Sequence, residues 1–242
     1  MNRRVATLMV LACTVCFVSL GCEAPGKPVH AETSRPDDVL DFTVLYTQNC
    51  AGCHGKDGKG GATLPLANPV YVAVAGTDNI QRITANGVAG TSMPPFASSQ
   101  GGTLSDRQIA VLTKGIIDRW GRAGTAQLIP YAATAHGDPA NGQTAYTTFC
   151  ARCHGANGKG MKGDSGVWTG SIVDPAYLAL VSDQYLRSTI IAGLLDKNMP
   201  DWRSDLTGPT ARAMTDQEIT DTVAWIASHR VATPGQPYPQ HP

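Results

Sequence analysis

One ten-residue segment occurs twice in this chain, one hundred residues apart, and this repeat constrains the fold more than any other feature. Each copy, at 46–55 and 146–155, begins with Tyr-Thr and ends with Cys-Ala-x-Cys-His-Gly. Shorter matches follow both copies in the same order: Pro-x-Tyr at 69–71 and 175–177, Met-Pro at 93–94 and 199–200, and Ser-Asp or Thr-Asp before Ile at 105–109 and 215–219. Matches that keep their order while the offset grows slightly indicate a duplicated domain with loop insertions.

Each repeat predicts a small set of helices joined by glycine-rich loops. A first helix runs into the cysteine-containing segment, and a middle helix covers about 78–86 or 183–192. A last helix follows Ser105 or Thr215, because Ser and Thr are favoured N-caps. Apolar residues then recur at helical spacing, at Ile109, Leu112 and Ile116 and at Ile219, Val223 and Ile226.

The N-terminal segment is typical of a bacterial export signal. Arg3 and Arg4 precede 5–20, a run that carries no charge and is mostly apolar. The run is short for a membrane-spanning helix but suits a signal peptide. It ends in Val-Ser-Leu-Gly-Cys, which resembles a lipobox with Ser19 where Leu is more usual, so Cys22 is the predicted lipidation site. Ordinary cleavage and an uncleaved anchor are the alternatives, and each places the remaining chain on the periplasmic side of a bacterial membrane.

These features divide the chain into six expected segments. The tether and the tail are polar and contain several prolines, with no apolar period. In chain order the segments are a lipoprotein signal peptide, a lipidated N-terminus with a flexible tether, a first domain, a linker, a second domain and a loose C-terminal tail, at 1–21, 22–36, 37–123, 124–136, 137–230 and 231–242.

The two Cys-x-x-Cys-His segments are typical of covalent haem c attachment. In such sites two thiols form thioether bonds to one haem, and the histidine that follows binds the iron. The predicted attachment residues are Cys50, Cys53, Cys150 and Cys153, and the predicted proximal ligands are His54 and His154. The alternatives are a zinc site, a redox dithiol and chance. Zinc usually takes four protein ligands, whereas each cysteine pair here has its own histidine in a separate repeat.

A methionine followed by proline lies at the same place in both repeats and predicts the second axial ligand of each iron. Met93 follows His54, and Met199 follows His154, by about forty residues. The proline fixes its own φ angle and prevents a helix from continuing, which suits a stiff loop that holds a thioether over the metal. The alternative is an ordinary core methionine. Met214 aligns with a leucine in the first repeat and is assigned to the core.

These motifs resemble those of tandem class I cytochromes c, the di-haem proteins built from two domains like mitochondrial cytochrome c. The resemblance covers about 40–230 and implies an all-α fold, two haem c groups with His/Met iron, and electron transfer without a small-molecule substrate. In that family a glycine of the first helix meets an aromatic residue of the last. Gly142 and Trp225 fit this pattern. Phe42 and Gly115 have the large and small partners exchanged, so Phe42 is expected to pack over Gly115.

The charge balance and the ligand set together favour an electron carrier. Lys and Arg number 19 against 19 Asp and Glu, so no basic surface for nucleic acid is indicated. An iron ligated on both sides has no vacant position for oxygen or peroxide, and a thioether raises its reduction potential. The expected partners are a redox protein donor and acceptor, such as a membrane respiratory or photosynthetic complex. The alternatives are a peroxidase-like or thiosulfate-oxidising di-haem enzyme, a haem-based sensor and a structural subunit.

Overall fold

The computed structural model describes residues 35–121, 129–163, 166–207 and 211–234. The predicted signal peptide, the lipidation site Cys22, most of the tether and most of the C-terminal tail lie outside these residues. Within the described ranges, no helix is both long and apolar enough to cross a membrane.

The first half contains one long kinked helix between shorter ones. Its described helices are α1 (Phe42–Asn49), α2 (Ala51–His54), α3 (Pro69–Asn86) and α4 (Asp106–Trp120), with short 3-10 turns at Pro36–Asp38 and Ser98–Gln100. Gly76 interrupts α3 with φ 68° and ψ 170°, a backbone conformation open to glycine because it has no Cβ. The expected middle helix at 78–86 is therefore the second part of α3.

The second half repeats this order, with the middle helix split in two. Its described elements are α5 (Pro139–Phe149), α6 (Ala151–His154), α7 (Pro175–Leu180), α8 (Asp183–Ala192) and α9 (Asp216–Ala227), with a 3-10 turn at Leu195–Lys197. A short antiparallel hairpin, β1 (Met161–Lys162) and β2 (Trp168–Thr169), follows α6. The repeat did not predict this hairpin. The chain is otherwise mostly helical, which confirms the expected all-α class.

The last helix of each half begins at the predicted N-cap. Ser105 accepts the backbone N–H of Gln108, whose side chain accepts the N–H of Ser105 in return. Thr215 and Glu218 form the same reciprocal capping box at the start of α9. The Arg212 guanidinium beside Glu218, helped by the bonds from Thr215, lowers the pKa of that carboxyl to about 2. Just before this cap, Met214 is buried in the core, as predicted.

The first and last helices of each half cross at a glycine. A Cβ on Gly142 would lie 1.9 Å from the carbonyl oxygen of Asp221 and 2.9 Å from the Cβ of Trp225. In the first half a Cβ on Gly115 would lie 1.9 Å from the ring of Phe42. Phe42 therefore packs over Gly115, and the predicted exchange of the large and small partners is confirmed.

Gly142→Ala should destabilise the protein more than Gly115→Ala. The methyl group at 142 would meet a backbone carbonyl that cannot retreat without distorting α9, whereas the Phe42 ring can turn aside. We expect losses of roughly 3 and about 1 kcal/mol in the free energy of unfolding, measured by denaturant titration of the haem-loaded protein. Gly52→Ala is the control, since nothing lies within 4 Å of a Cβ there. Equal losses at 142 and 115 would contradict this account.

Arg187 binds the linker residues 130 and 131 to the second half. Its side chain is only 3% exposed, and a buried guanidinium is costly unless its donors are paired. It donates to the carbonyls of Pro130 and Tyr131, to the hydroxyl of Thr220 and to the carboxylate of Asp216. The linker residues 130 and 131 therefore belong structurally to the second half.

Candidate haem-binding sites

A cavity of about 700 Å³ brings together the predicted site residues of the first half. Cys50, Cys53, His54 and Met93 all line it. Its size lies within the roughly 300–1,000 Å³ that small-molecule and cofactor sites occupy. Much of the remaining lining from this half is apolar, including Leu64, Leu66, Ile80, Leu112 and Ile116.

The attachment motif is held in the same turn in both halves. The backbone N–H of His54 donates to the carbonyl of Cys50 at 3.0 Å, and the hydroxyl of Tyr46 donates to the carbonyl of Gly55 at 2.8 Å. The residues one hundred positions later make the same bonds in the second half. Gly55 has φ 82°, and a Cβ there would lie 1.9 Å from the carbonyl oxygen of Lys59, so this turn requires glycine.

The two Met-Pro segments also share their backbone arrangement. The N–H of Val88 donates to the carbonyl of Met93, and the N–H of Leu194 donates to the carbonyl of Met199, both at 3.0 Å. Gly193, with φ 66°, would place a Cβ 2.6 Å from the Met199 carbonyl oxygen, and its counterpart in the first half is equally crowded. Both methionines therefore lie in corresponding turns, and the turn with Met93 borders the cavity.

The two histidines differ in the contact that their second ring nitrogen makes. Nδ1 of His54 lies 2.9 Å from the carbonyl oxygen of Leu64, which can only accept, so Nδ1 donates and Nε2 is free to bind a metal. Nδ1 of His154 is buried without a hydrogen-bond partner among the described residues. In the second half the corresponding stretch of chain enters the β1–β2 hairpin. Burial lowers the pKa of both imidazoles, which favours the neutral form that a metal ligand requires.

The pKa of the thiols bears on the choice between haem attachment and a redox dithiol. The described cysteines form no disulfide with one another. Burial, together with the neighbouring Cys53, raises the pKa of Cys50 to about 11, and burial with Cys153 raises that of Cys150 to about 12. Reactive redox cysteines instead have a lowered pKa. The raised pKa of Cys50 and of Cys150 therefore fits thioether attachment better than thiol–disulfide exchange.

Comparison with known families assigns both halves. Residues 37–114 match the model described as cytochrome c oxidase, cbb3-type, subunit III, and residues 139–230 match the model described as cytochrome c. Each match contains one Cys-x-x-Cys-His segment and one Met-Pro segment. This chain is a di-haem class I cytochrome c. The cytochrome carries two covalently bound haem c groups.

Curated relatives of the cytochrome are subunits of cbb3-type oxidases. It is 26% identical over 201 residues to the Cbb3-type cytochrome c oxidase subunit CcoP of Azospirillum sp. (strain B510), covering 76% of this chain and 64% of that protein. It is 27% identical to CcoP of Rubrivivax gelatinosus, over 56% of this chain and 40% of that protein. It is 29% identical to CcoP of Azospirillum brasilense, over 53% of this chain and 45% of that protein. The cytochrome therefore spans between 40% and 64% of these relatives' lengths.

Among solved structures, a chain of the Kuenenia stuttgartiensis reducing HAO-like protein complex aligns with the cytochrome at a TM-score of 0.44 and 16% identity. The alignment covers 78% of this chain and 96% of that chain. A score this low supports no conclusion about fold or function.

The second half of the cytochrome also contributes a wall to the cavity of the first half. Tyr177 and Leu180 of α7, Tyr185 and Ser188 of α8, and Tyr131 of the linker all line the cavity. Leu180 is apolar yet 62% exposed, so this wall adds apolar surface to the cavity. The repeat could not reveal this wall, because it compares the two halves with each other and says nothing about their contacts.

Proposed function

We propose that this cytochrome passes electrons between a protein donor and a membrane-bound respiratory complex on the periplasmic side of a bacterial membrane. It acts either as a subunit of a cbb3-type oxidase or as a carrier that docks on one. One observation carries the proposal: both halves hold the Cys-x-x-Cys-His and Met-Pro segments in the same backbone arrangement, and in the first half these segments border one cavity.

In this proposal His54 and Met93 bind the first iron, and His154 and Met199 bind the second. A haem iron held by imidazole and thioether exchanges single electrons at a raised potential and leaves no site for a substrate. The chain's own residues provide the conditions for this exchange. The carbonyl of Leu64 orients His54, and the Met-Pro turn holds Met93 at a cavity with many apolar side chains in its lining.

The oxidase partner is proposed from the similarity to proteins named as CcoP subunits. Reduced cytochrome mixed with membranes should be oxidised quickly when a cbb3-type oxidase is present and slowly when that oxidase is deleted. A tagged cytochrome should also retain oxidase subunits from detergent-solubilised membranes. Equal oxidation rates with both membranes would overturn the oxidase assignment.

The proposal that each iron has two protein ligands and no free position is tested separately from the oxidase partner. The resting protein should show low-spin spectra, no peroxide turnover and no spectral change when carbon monoxide is added to the reduced form. A high-spin band or peroxide turnover would instead support a di-haem enzyme. A carbon monoxide response would support a sensor.

Lipid attachment at Cys22 is the proposed link to the membrane, supported by the lipobox-like sequence that precedes it. Cys22→Ser should move the protein from the membrane fraction to the periplasmic fraction and abolish incorporation of labelled fatty acid, because the thiol is the acylation site. The matched control is Cys16→Ser, which changes a cysteine within the predicted leader. A Cys22→Ser protein that stays in the membrane fraction of cells without a cbb3-type oxidase would point to an uncleaved anchor.

A further inference from the structure

One buried side chain joins the two halves of the cytochrome next to the second Met-Pro segment. Asn68 is 4% exposed. Its Oδ1 caps α3 by accepting the N–H groups of Val70 and Tyr71 at 2.9 and 3.2 Å. Its Nδ2 crosses to the second half and donates to the carbonyls of Ala192 and Gly193, at 2.9 and 3.2 Å. The amide thus uses both of its donors and both acceptor positions.

The two carbonyls that accept from Asn68 lie at the C-terminal end of α8. The last carbonyls of a helix have no partner within it and need an outside donor when they are buried. Here the outside donor comes from the other half of the protein. Leu194 follows immediately and exchanges backbone hydrogen bonds with Met199, at 3.0 and 3.1 Å. Asn68 therefore contacts the chain one residue before the segment that holds Met199.

The repeat shows why an amide is needed at 68. The equivalent residue of the second half is Asp174, which caps α7 by accepting the N–H groups of Ala176 and Tyr177 and is exposed. A carboxylate can serve as an N-cap but cannot donate a hydrogen bond. At position 68 it would face carbonyl oxygens at the negative end of the α8 dipole. Only asparagine both caps α3 and holds α8.

We propose that Asn68 is a positioning residue for the second haem. By fastening the end of α8, it keeps the Met199 turn in place, so that ligation in one half depends on a side chain of the other. The same helix lines the first haem cavity through Tyr185 and Ser188, and α8 therefore borders one haem site and leads to the other. This inference rests on the proposed Met199 ligation.

The test uses the haem-loaded protein in a Met93→His background. There the first iron carries two imidazoles, and the absorption band of Met-ligated ferric haem reports the second iron alone. Added imidazole competes with Met199, and its affinity measures how firmly the methionine is held. The variants are Asn68→Ser, which keeps the cap and removes the amide donors, and Asn68→Asp, which adds the unfavourable charge. Asp174→Asn is the matched control.

Asn68→Ser should raise the affinity for imidazole about tenfold, equivalent to about 1.4 kcal/mol, and Asn68→Asp should raise it further. Asp174→Asn should leave it unchanged. Unchanged affinity in both Asn68 variants, or an equal change in the control, would overturn the proposal. If the Met93→His protein shows no methionine band at all, Met199 is not a ligand, and the inference falls together with that ligand assignment.

Discussion

Replacing Met199 with histidine should lower the reduction potential of one haem by roughly 0.2–0.3 V and leave the other near its original value. Axial ligands set haem potentials over a range of roughly 0.8 V, and exchanging a thioether for a second imidazole removes the ligand that stabilises the reduced iron. Met93→His should do the same to the other haem. Spectroelectrochemical titration measures both potentials in each variant.

The control for this experiment is a methionine that is not assigned as a ligand. Met214 is 6% exposed within the core and aligns with Leu104 in the first repeat. Met214→Leu is thus a volume-conserving change that should shift neither potential measurably. If Met199→His and Met214→Leu behave alike, the sixth ligand of the second iron is another group.

Removing the first pair of attachment thiols, with Cys50→Ala and Cys53→Ala together, should reduce the haem content from two to one and unfold much of the first half. The cavity of about 700 Å³ has many apolar side chains in its lining, and without haem these would face water at a cost of roughly 25 cal/mol per Å². A folded domain is usually stable by only about 5–15 kcal/mol, so the half should collapse around the empty cavity or unfold. Haemochrome absorbance and mass measure the haem content, and far-UV circular dichroism measures the lost helix.

Gly52→Ala is the matched control for that experiment, because it lies within the same motif and leaves both thiols in place. It should keep two haems and full helicity. If the variant without Cys50 and Cys53 kept native helicity and a native thermal transition, the cavity would not depend on haem. That result would contradict the assignment of the cavity as the haem site.

The amino-acid sequence alone was enough to predict the duplicated plan of the molecule. Covalent motifs, N-caps and helical periodicity act over a few residues, so Ser105, Thr215 and the Cys-x-x-Cys-His segments could be assigned without coordinates. The glycine–aromatic contact of the resembled family, traced through both repeats, also predicted that Phe42 packs over Gly115. Each copy served as a template for the other, and a large residue exchanged with a small one is visible in such a pair.

The contacts between the two halves could not be predicted and are known from the folded structure alone. Asn68 and Ala192 are separated by 124 positions, and nothing in the repeat indicates that they are in contact. The kink at Gly76 and the wall that Tyr185 contributes to the first cavity were equally hidden. The physical reason is that these features depend on which surfaces face each other after folding. A repeat shows the features that both halves share, such as helices, caps and attachment motifs. The interface between the halves is built from residues in which they differ.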